Sequence, residues 1–370
     1  MSGSKAERPM GVGVIGAGTI STQYLTNLTQ FPDLDVRFVA DLDADRARAQ
    51  AEAFGVAGSG STEQLLADEG VDIVVNLTIP AAHAEVAAAA LEAGKHVWNE
   101  KPIALDTASA KALLDVAERT GRRVATAPDT FLGAGLQSSL RLVAGGGIGT
   151  PLSAHTMMLS PGPESWHPSP DFLFAVGAGP LYDIGPYYLT ALAQFFGPVH
   201  RVQATLGQSR PQRVIGSGPR AGESFPVEVP THVAALYEFA DGHTASSTFS
   251  FDSALKRTQF EVAGLEGTVE VPDPNTFEGQ LVIHRPGLEE PETVASTGST
   301  FTRGTGVVEL ARAVRAGRPE RASGALAYHV LDVMQATIEA GTSGRAVEVA
   351  SRFEVVEPLT EDWDPSEATL

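Results

Sequence analysis

Four short stretches of this 370-residue chain carry residue types at spacings that suit chemistry. The first is Gly13-Val14-Ile15-Gly16-Ala17-Gly18-Thr19-Ile20-Ser21. A glycine pair in a strand-to-helix turn permits a tight bend and lets a pyrophosphate approach the backbone. The helix start then offers free N–H groups and a partial positive charge. The third position, where Gly or Ala is usual, is Ser21, still small enough for helix–strand packing. Asp41 lies at the end of the next strand-like run, where a carboxylate accepts hydrogen bonds from adenine ribose hydroxyls. Its plainer reading is a helix cap or a solvated loop acid, as for Asp43 and Asp45. Leu42 follows it and no base stands alongside, which favours NAD over NADP; Arg46 keeps NADP open.

Asn99-Glu100-Lys101-Pro102 directly follows the strand-like run at 95–98, and strand C-termini in parallel sheets open on the ligand crevice. Lys101 is one of only five lysines. It can orient a substrate hydroxyl and lower the pKa of a neighbouring acid, or be a surface lysine before a loop proline. Gly177-Ala178-Gly179-Pro180-Leu181-Tyr182-Asp183-Ile184-Gly185-Pro186-Tyr187 places glycines at a helix start. Asp183 and Tyr187, four apart, share one face; taken alone they read equally as a cap and a core aromatic. The Trp166-His167 pair, in a loop rich in Pro and Ser, offers a ring face for stacking and an imidazole for a hydroxyl, which suits a polyol. A buried Trp and a loop His are the alternative. The histidines have no His-Glu-x-x-His spacing, so no metal is expected, and no nucleophile elbow is present.

The elements that must position these residues change character along the chain. Up to about residue 126, strand-like runs at 12–15, 36–40, 71–77, 95–98 and 123–126 alternate with helix-like runs at 19–30, 44–54, 82–93 and 108–119. Short connections join them, as in a parallel α/β sheet. Beyond Pro128, period-two alternation takes over at 199–206, 233–239, 243–251 and 260–271, the pattern of antiparallel strands covered on one face. Helices are expected at 136–143, 185–196 and 325–340. The expected fold is α/β: a Rossmann-type doubly wound parallel sheet over 1–128, then an α+β domain with a large, mostly antiparallel open sheet over 129–352. Residues 353–370, with six acids and no base, are expected as a solvated acidic tail.

Composition removes whole classes of function. There is no cysteine, which excludes disulfides, thiolate metal sites and cysteine nucleophiles. Lys and Arg number 26 against 45 Asp and Glu, a net charge of −19, which argues against nucleic-acid and anionic-membrane partners. No leader-like apolar segment and no apolar run of transmembrane length occurs, so a cytoplasmic location is expected.

Taken in order, these motifs resemble the Gfo/Idh/MocA family (glucose–fructose oxidoreductase, inositol dehydrogenase, rhizopine catabolism). The likeness runs through the Gly16–Ser21 turn, Thr78-Ile79-Pro80 with His83, Glu100-Lys101-Pro102, Asp183-x-Gly185-x-Tyr187, the 264–268 segment and the 324–340 helix. The resemblance implies an NAD(P)-dependent oxidoreductase that passes a hydride between nicotinamide and a carbinol or carbonyl carbon of a sugar, sugar derivative or cyclitol. It implies Lys101, Asp183 and Tyr187 as catalytic. Many members have His where this chain has Tyr187, a departure shared with the glucose–fructose oxidoreductase and dihydrodiol dehydrogenase branches. A phenol titrates near pH ~10, so as a base it needs Lys101 or His167 nearby.

The cofactor residues implied are Gly16, Gly18, Thr19, Ile20, Asp41, Thr78, Pro80, His83, Glu100 and Lys101. Trp166, His167 and Asp129 are the expected substrate contacts, and a homodimer or homotetramer through the C-terminal sheet is the expected assembly. Two other readings stand beside this one: an NAD-dependent glycoside hydrolase using transient oxidation, and a non-catalytic dinucleotide-binding protein.

Overall fold

The computed structural model describes residues 8–370; the start of the polar N-terminal segment, residues 1–7, lies outside them. The chain divides into two units. One comprises the described residues up to 133 together with 298–328 and 356–370; the other comprises 134–297 and 329–355.

The first unit is built on six strands alternating with helices: β1 (Met10–Ile15), α1 (Thr19–Leu28), β2 (Leu34–Ala40), α2 (Ala44–Phe54), β3 (Gly58–Gly60), α3 (Thr62–Ala67), β4 (Ile73–Asn76), α4 (His83–Glu92), β5 (His96–Asn99), α5 (Thr107–Thr120) and β6 (Val124–Thr126). They form a parallel sheet in the order β3-β2-β1-β4-β5-β6. Every residue of β1, β4, β5 and β6 is buried, as the uninterrupted apolar runs of a sheet covered on both faces require. The strand order reverses between β1 and β4, and that switch point opens a crevice beyond the strand C-termini. Most ends are punctuated in sequence: Asp43 caps α2 by accepting from the amides of Asp45 and Arg46, and Gly55 ends it at φ 68°.

The second unit contains α6 (Ala134–Ala144), β7 (Pro151–Leu159), α7 (Pro180–Phe196), β8 (Val199–Gly207), β9 (Gln212–Val214), β10 (Ser224–Pro226), β11 (His232–Phe239), β12 (Thr244–Ser250), β13 (Arg257–Gly264), β14 (Thr268–Glu270), β15 (Leu281–His284) and β16 (Glu292–Val294). After them come α8 (Thr305–Ala316), which belongs to the first unit, α9 (Gly324–Ser343) and β17 (Val347–Glu348). Nine strands form one sheet, ordered β16-β15-β14-β13-β7-β12-β11-β8-β17, antiparallel except for the β7–β12 pair. Helix α7 lies on it, with Tyr188 edge-on to Phe249 at 5.7 Å and stacked on Phe260 at 6.2 Å. Both fold expectations hold: a parallel doubly wound sheet, then a large, mostly antiparallel one.

The boundaries differ from those expected. The segment 298–328 and the acidic C-terminal residues pack into the first unit. Ala322 accepts from the Thr126 amide at 2.9 Å, and Ser323 bridges Ala125 at the sheet edge. The supposed solvated tail is anchored: Leu359 is buried, and the Thr369 hydroxyl donates to Asp33 at 2.8 Å. Asp33 also accepts from Arg312 at 2.7 Å and from the Leu370 amide at 3.0 Å. Acidity alone does not keep a segment in solvent when its backbone carbonyls have a partner; those of Asp364 and Glu367 accept from Arg312. No helix among the described residues is long and apolar enough to cross a membrane.

Candidate dinucleotide and substrate sites

In the first unit the glycine turn joins β1 to α1. Gly16 sits at φ 101°, and a Cβ there would lie 2.6 Å from the Leu77 carbonyl oxygen. Only glycine tolerates both the left-handed backbone and that approach. Gly18, by contrast, has nothing within 4 Å of where a Cβ would stand. It is the N-cap of α1, which has no capping side chain and no acid in its first turn. With Gly18 and Thr19 exposed, the start of α1 is open to a ligand, as a pyrophosphate cradle requires. Ser21 fills the third position buried, its hydroxyl donating to the Gly18 carbonyl at 2.6 Å.

Asp41 closes β2 with its carboxylate largely buried. Oδ2 accepts from the Ala17 amide at 2.7 Å and from Arg46 Nε at 3.2 Å; Oδ1 accepts from the Asp43 amide at 2.9 Å and from Arg46 Nη2 at 2.5 Å. Burial pushes its pKa up, but the Arg46 and amide hydrogen bonds outweigh burial and hold it below the ordinary carboxylate value. It is thus neither a solvated loop acid nor the cap of α2.

The next two strand ends are tied together. The Asn76 side chain donates to Asn99 Oδ1 at 2.7 Å and to the His83 carbonyl at 3.0 Å, and the Thr78 hydroxyl donates to Asn76 Oδ1 at 2.7 Å. The buried His83 ring spans both loops, with Nδ1 2.6 Å from the Pro102 carbonyl oxygen and Nε2 3.0 Å from that of Thr78. Pro80 stays exposed on the same turn. Beside them Glu100 accepts from the Tyr24 hydroxyl at 2.8 Å and from the Lys101 amide at 3.0 Å, while Trp98 Nε1 donates to the Tyr24 oxygen at 3.1 Å. Burial, then the Glu100 charge, raise the Tyr24 pKa well above the usual phenol value, so Tyr24 remains a donor. Lys101 itself is half-buried. Helical spacing in the sequence presents Tyr24 as one more core aromatic and gives no sign of its bond to Glu100.

Asp129, expected as a substrate contact, has no exposure and another task. Its carboxylate accepts from the amides of Gly304 at 2.8 Å and Gly306 at 3.3 Å, at the start of α8, and pairs with Arg303 at 3.4 Å. Burial raises its pKa against the pull of Arg303 and those amides. The sequence places Asp129 after β6, but the segment it caps lies some 175 residues on, beyond the reach of local pattern.

In the second unit, Asp183 and Tyr187 stand one turn apart on α7. Gly179 is the N-cap and Asp183 lies in the first helical turn, half-buried, so the cap reading of Asp183 does not hold. Tyr187 is buried, as its core-aromatic reading has it. Asp183 lines a cleft of about 350 Å3 with Trp166, Tyr188, Lys256, Asp273 and Asn275 among its walls. Trp166 is 63% exposed rather than buried. His167 meets it edge-on at 5.6 Å and meets Phe172 at 5.4 Å; its Nδ1 accepts from the Ser169 amide at 3.1 Å. Lys256, Asp273 and Phe172 were not singled out in the sequence. Phe172 carried the one available signal, an aromatic in a loop otherwise rich in Pro, Gly and Ser.

Comparison with known proteins agrees with this architecture. Residues 10–127 match the GFO/IDH/MocA oxidoreductase family with NAD-binding Rossmann fold, and residues 137–270 match the GFO/IDH/MocA C-terminal domain. The chain is 35% identical over 161 residues to inositol 2-dehydrogenase 3 of Saccharopolyspora erythraea, covering 42% of this chain and 47% of that protein. It is 27% identical over 345 residues to D-xylose 1-dehydrogenase (NADP(+)) 2 of Haloferax volcanii, covering 91% of this chain and 99% of the relative. Among solved structures, levoglucosan dehydrogenase in complex with NADH and L-sorbose has the same fold, with a TM-score of 0.79 at 22% identity over 92% of this chain and 99% of that one. The chain belongs to the Gfo/Idh/MocA family of NAD(P)-dependent oxidoreductases.

Proposed function

We propose that this protein oxidises a carbinol carbon of a sugar, sugar derivative or cyclitol, or reduces the corresponding carbonyl, with Lys101, Asp183 and Tyr187 as its catalytic residues. The observation that carries the substrate class is the cleft beside Asp183, where an exposed tryptophan face stands among carboxylates, an ammonium and an amide. Polyols need that mixture: an apolar face for the ring carbons and donors and acceptors for the hydroxyls. The family's xylose- and inositol-oxidising relatives support the same class.

Oxidation of a carbinol removes a hydride from carbon and a proton from oxygen. A bound nicotinamide dinucleotide supplies the hydride acceptor. The chain's own groups handle the proton: Tyr187 takes it from the hydroxyl, the Lys101 ammonium stabilises the oxygen as its negative charge develops, and Asp183 orients the reacting hydroxyl.

The test follows absorbance of the reduced cofactor over a panel of aldoses, inositols and anhydrosugars, with NAD and NADP in turn. Turnover of at least one polyol, falling by a factor of roughly 100 or more in Lys101→Ala, is expected. Turnover that survives that substitution undiminished rejects the catalytic assignment. Release of aglycone from a glycoside without net reduced cofactor favours the transient-oxidation hydrolase instead.

A further inference from the structure

The segment between β7 and α7 holds aromatic rings outward on a rigid support. Trp166 and Phe172 are 63% and 59% exposed, and the His167 ring lies between them in edge-on contact with both. Exposed rings in a loop usually belong to a loose segment; these do not. Arg213, almost wholly buried, donates to the carbonyls of Pro161 at 3.1 Å and Phe251 at 2.9 Å and pairs with both Glu164 and Asp252. Its guanidinium lies 5.0 Å from the centre of the buried Phe174 ring. Arg220 grips Asp171 through two hydrogen bonds of 2.7 and 3.0 Å, one residue before Phe172. The Gly216 amide holds the Glu164 carbonyl at 2.8 Å. Phe174 thus points into the core while Phe172, two residues earlier, is kept out.

We propose that the substrate has two rings: a glycoside whose reacting sugar occupies the cleft beside Asp183 and whose second ring stacks along Trp166 and Phe172. The proposal rests on the sugar-oxidoreductase reading and narrows it from free monosaccharides to glycosides. Three features carry it. Trp166 belongs to both places, lining the cleft and beginning the exposed strip, so the two are continuous. The cleft, at about 350 Å3, stands at the small end of ligand sites, so a two-ring ligand must extend beyond it. The strip is held in place before any ligand arrives, which removes the ordering cost that a mobile loop adds to binding. A ring with one apolar face, whether a second pyranose or an aromatic aglycone, is the chemistry that flat rings of this kind take.

Two readouts separate this inference from the reading beneath it. The first needs no turnover. Of the three tryptophans, Trp98 is fully buried, Trp363 is half-buried and Trp166 is exposed. Titrating the protein with glucose, methyl glucoside, phenyl glucoside and cellobiose, in both anomeric series where available, should change tryptophan emission. The two-ring ligands should bind about tenfold more tightly than the one-ring ligands. Trp166→Phe should abolish the emission change, and Phe172→Ala should cut the two-ring preference about tenfold, with cellobiose and phenyl glucoside distinguishing a sugar from an aromatic second ring.

The second readout repeats the comparison as a ratio of kcat/KM. Equal binding of one-ring and two-ring ligands overturns the proposal, as does a Phe172→Ala protein that keeps the full preference. A change of mass in solution on Phe172→Ala with that preference intact identifies the strip as a protein interface, which overturns it too. Two-ring binding without reduced cofactor from any ligand leaves this inference standing and removes the dehydrogenase reading. Turnover of monosaccharides with no gain from a second ring does the reverse.

Discussion

At Asp41 the structure turns a cofactor expectation into a competition. A carboxylate presents about four lone-pair positions, and here all four are taken: two by the Ala17 and Asp43 amides, two by Arg46. A ribose 2′,3′-diol must therefore displace Arg46 before Asp41 can accept from it. The displaced guanidinium, its side chain already 52% exposed, is then free to pair with a 2′-phosphate. Arg46→Ala should remove the competitor and the phosphate partner together. We expect NADPH to bind roughly 10–100-fold more weakly, from the loss of a charge-assisted contact, and NADH to bind as tightly as before or more so. Cofactor fluorescence titration of the unliganded protein measures both constants. If NADH binding instead collapses, Arg46 serves to hold Asp41 in place and does not select the cofactor.

Between elements, His83 is the tie that links the turn after β4 to the loop carrying Lys101. Its two ring nitrogens lie 2.6 and 3.0 Å from carbonyl oxygens of those two segments. The ring reaches both segments at once, which the methyl group of alanine does not. In His83→Ala the amides of residues 78–83 and 100–104 should exchange with deuterated solvent faster, and together, by about tenfold or more. Acceleration confined to the start of α4 would show that His83 does no more than fill space there. That tie depends on two strand ends meeting in the fold, and no local pattern reveals it. The strands themselves were legible: continuous apolar runs with short connections specify a buried parallel sheet, so β1, β2, β4, β5 and β6 were found within a few residues. β3, Gly58-Ser59-Gly60, has no propensity of its own and exists by pairing with β2. β7 has no clean alternation in sequence, because its inward positions include Thr156 and its outward ones Met157 and Leu159. The run 260–271 alternates like one strand, but the turn at residues 265–267 folds it into β13 and β14. α8 escaped notice because Glu309 and Arg312 interrupt its apolar face; both are buried and paired, with Arg318 and Arg321 and with Asp33. At the candidate site the motif residues were visible, whereas Arg213 and Arg220, which hold the aromatic strip, act on partners about 50 residues earlier.

Across the whole molecule, each unit encloses a histidine that must stay neutral. In the first, the Arg123 amide donates to His96 Nδ1 at 3.1 Å. In the second, the Val199 amide donates to His329 Nε2 at 2.9 Å, and Nδ1 of the same ring lies 2.8 Å from the Ser351 hydroxyl. A nitrogen that accepts from an amide N–H has no room for a proton of its own. Burial, aided at His96 by Arg122 and Arg123, brings both pKa values from 6.5 down to about 4. The unfolded chain binds protons at these sites near pH 6.5, while the folded chain refuses them until about 4. Folding is therefore most favourable above 6.5 and weakens as the pH falls from 6.5 to 4, by about 2–3 kcal/mol for each histidine, with no further loss from them below that. Asp33 works in a lower window. Burial raises its pKa, but hydrogen bonds from Thr369, Arg312 and Leu370 win and depress it. Its contribution is present above its ordinary value of 3.8 and fades as the pH falls through the lowered one. Urea unfolding followed by circular dichroism at half-unit steps from pH 7.5 to 4 should show the midpoint falling through the histidine window. In the double variant His96→Gln, His329→Gln the amide oxygens still accept the Arg123 and Val199 N–H groups but do not titrate, so that decline should flatten by at least half. A double variant that loses as much stability as the parent between pH 6.5 and 4 would place the acid sensitivity of this protein outside its two buried histidines.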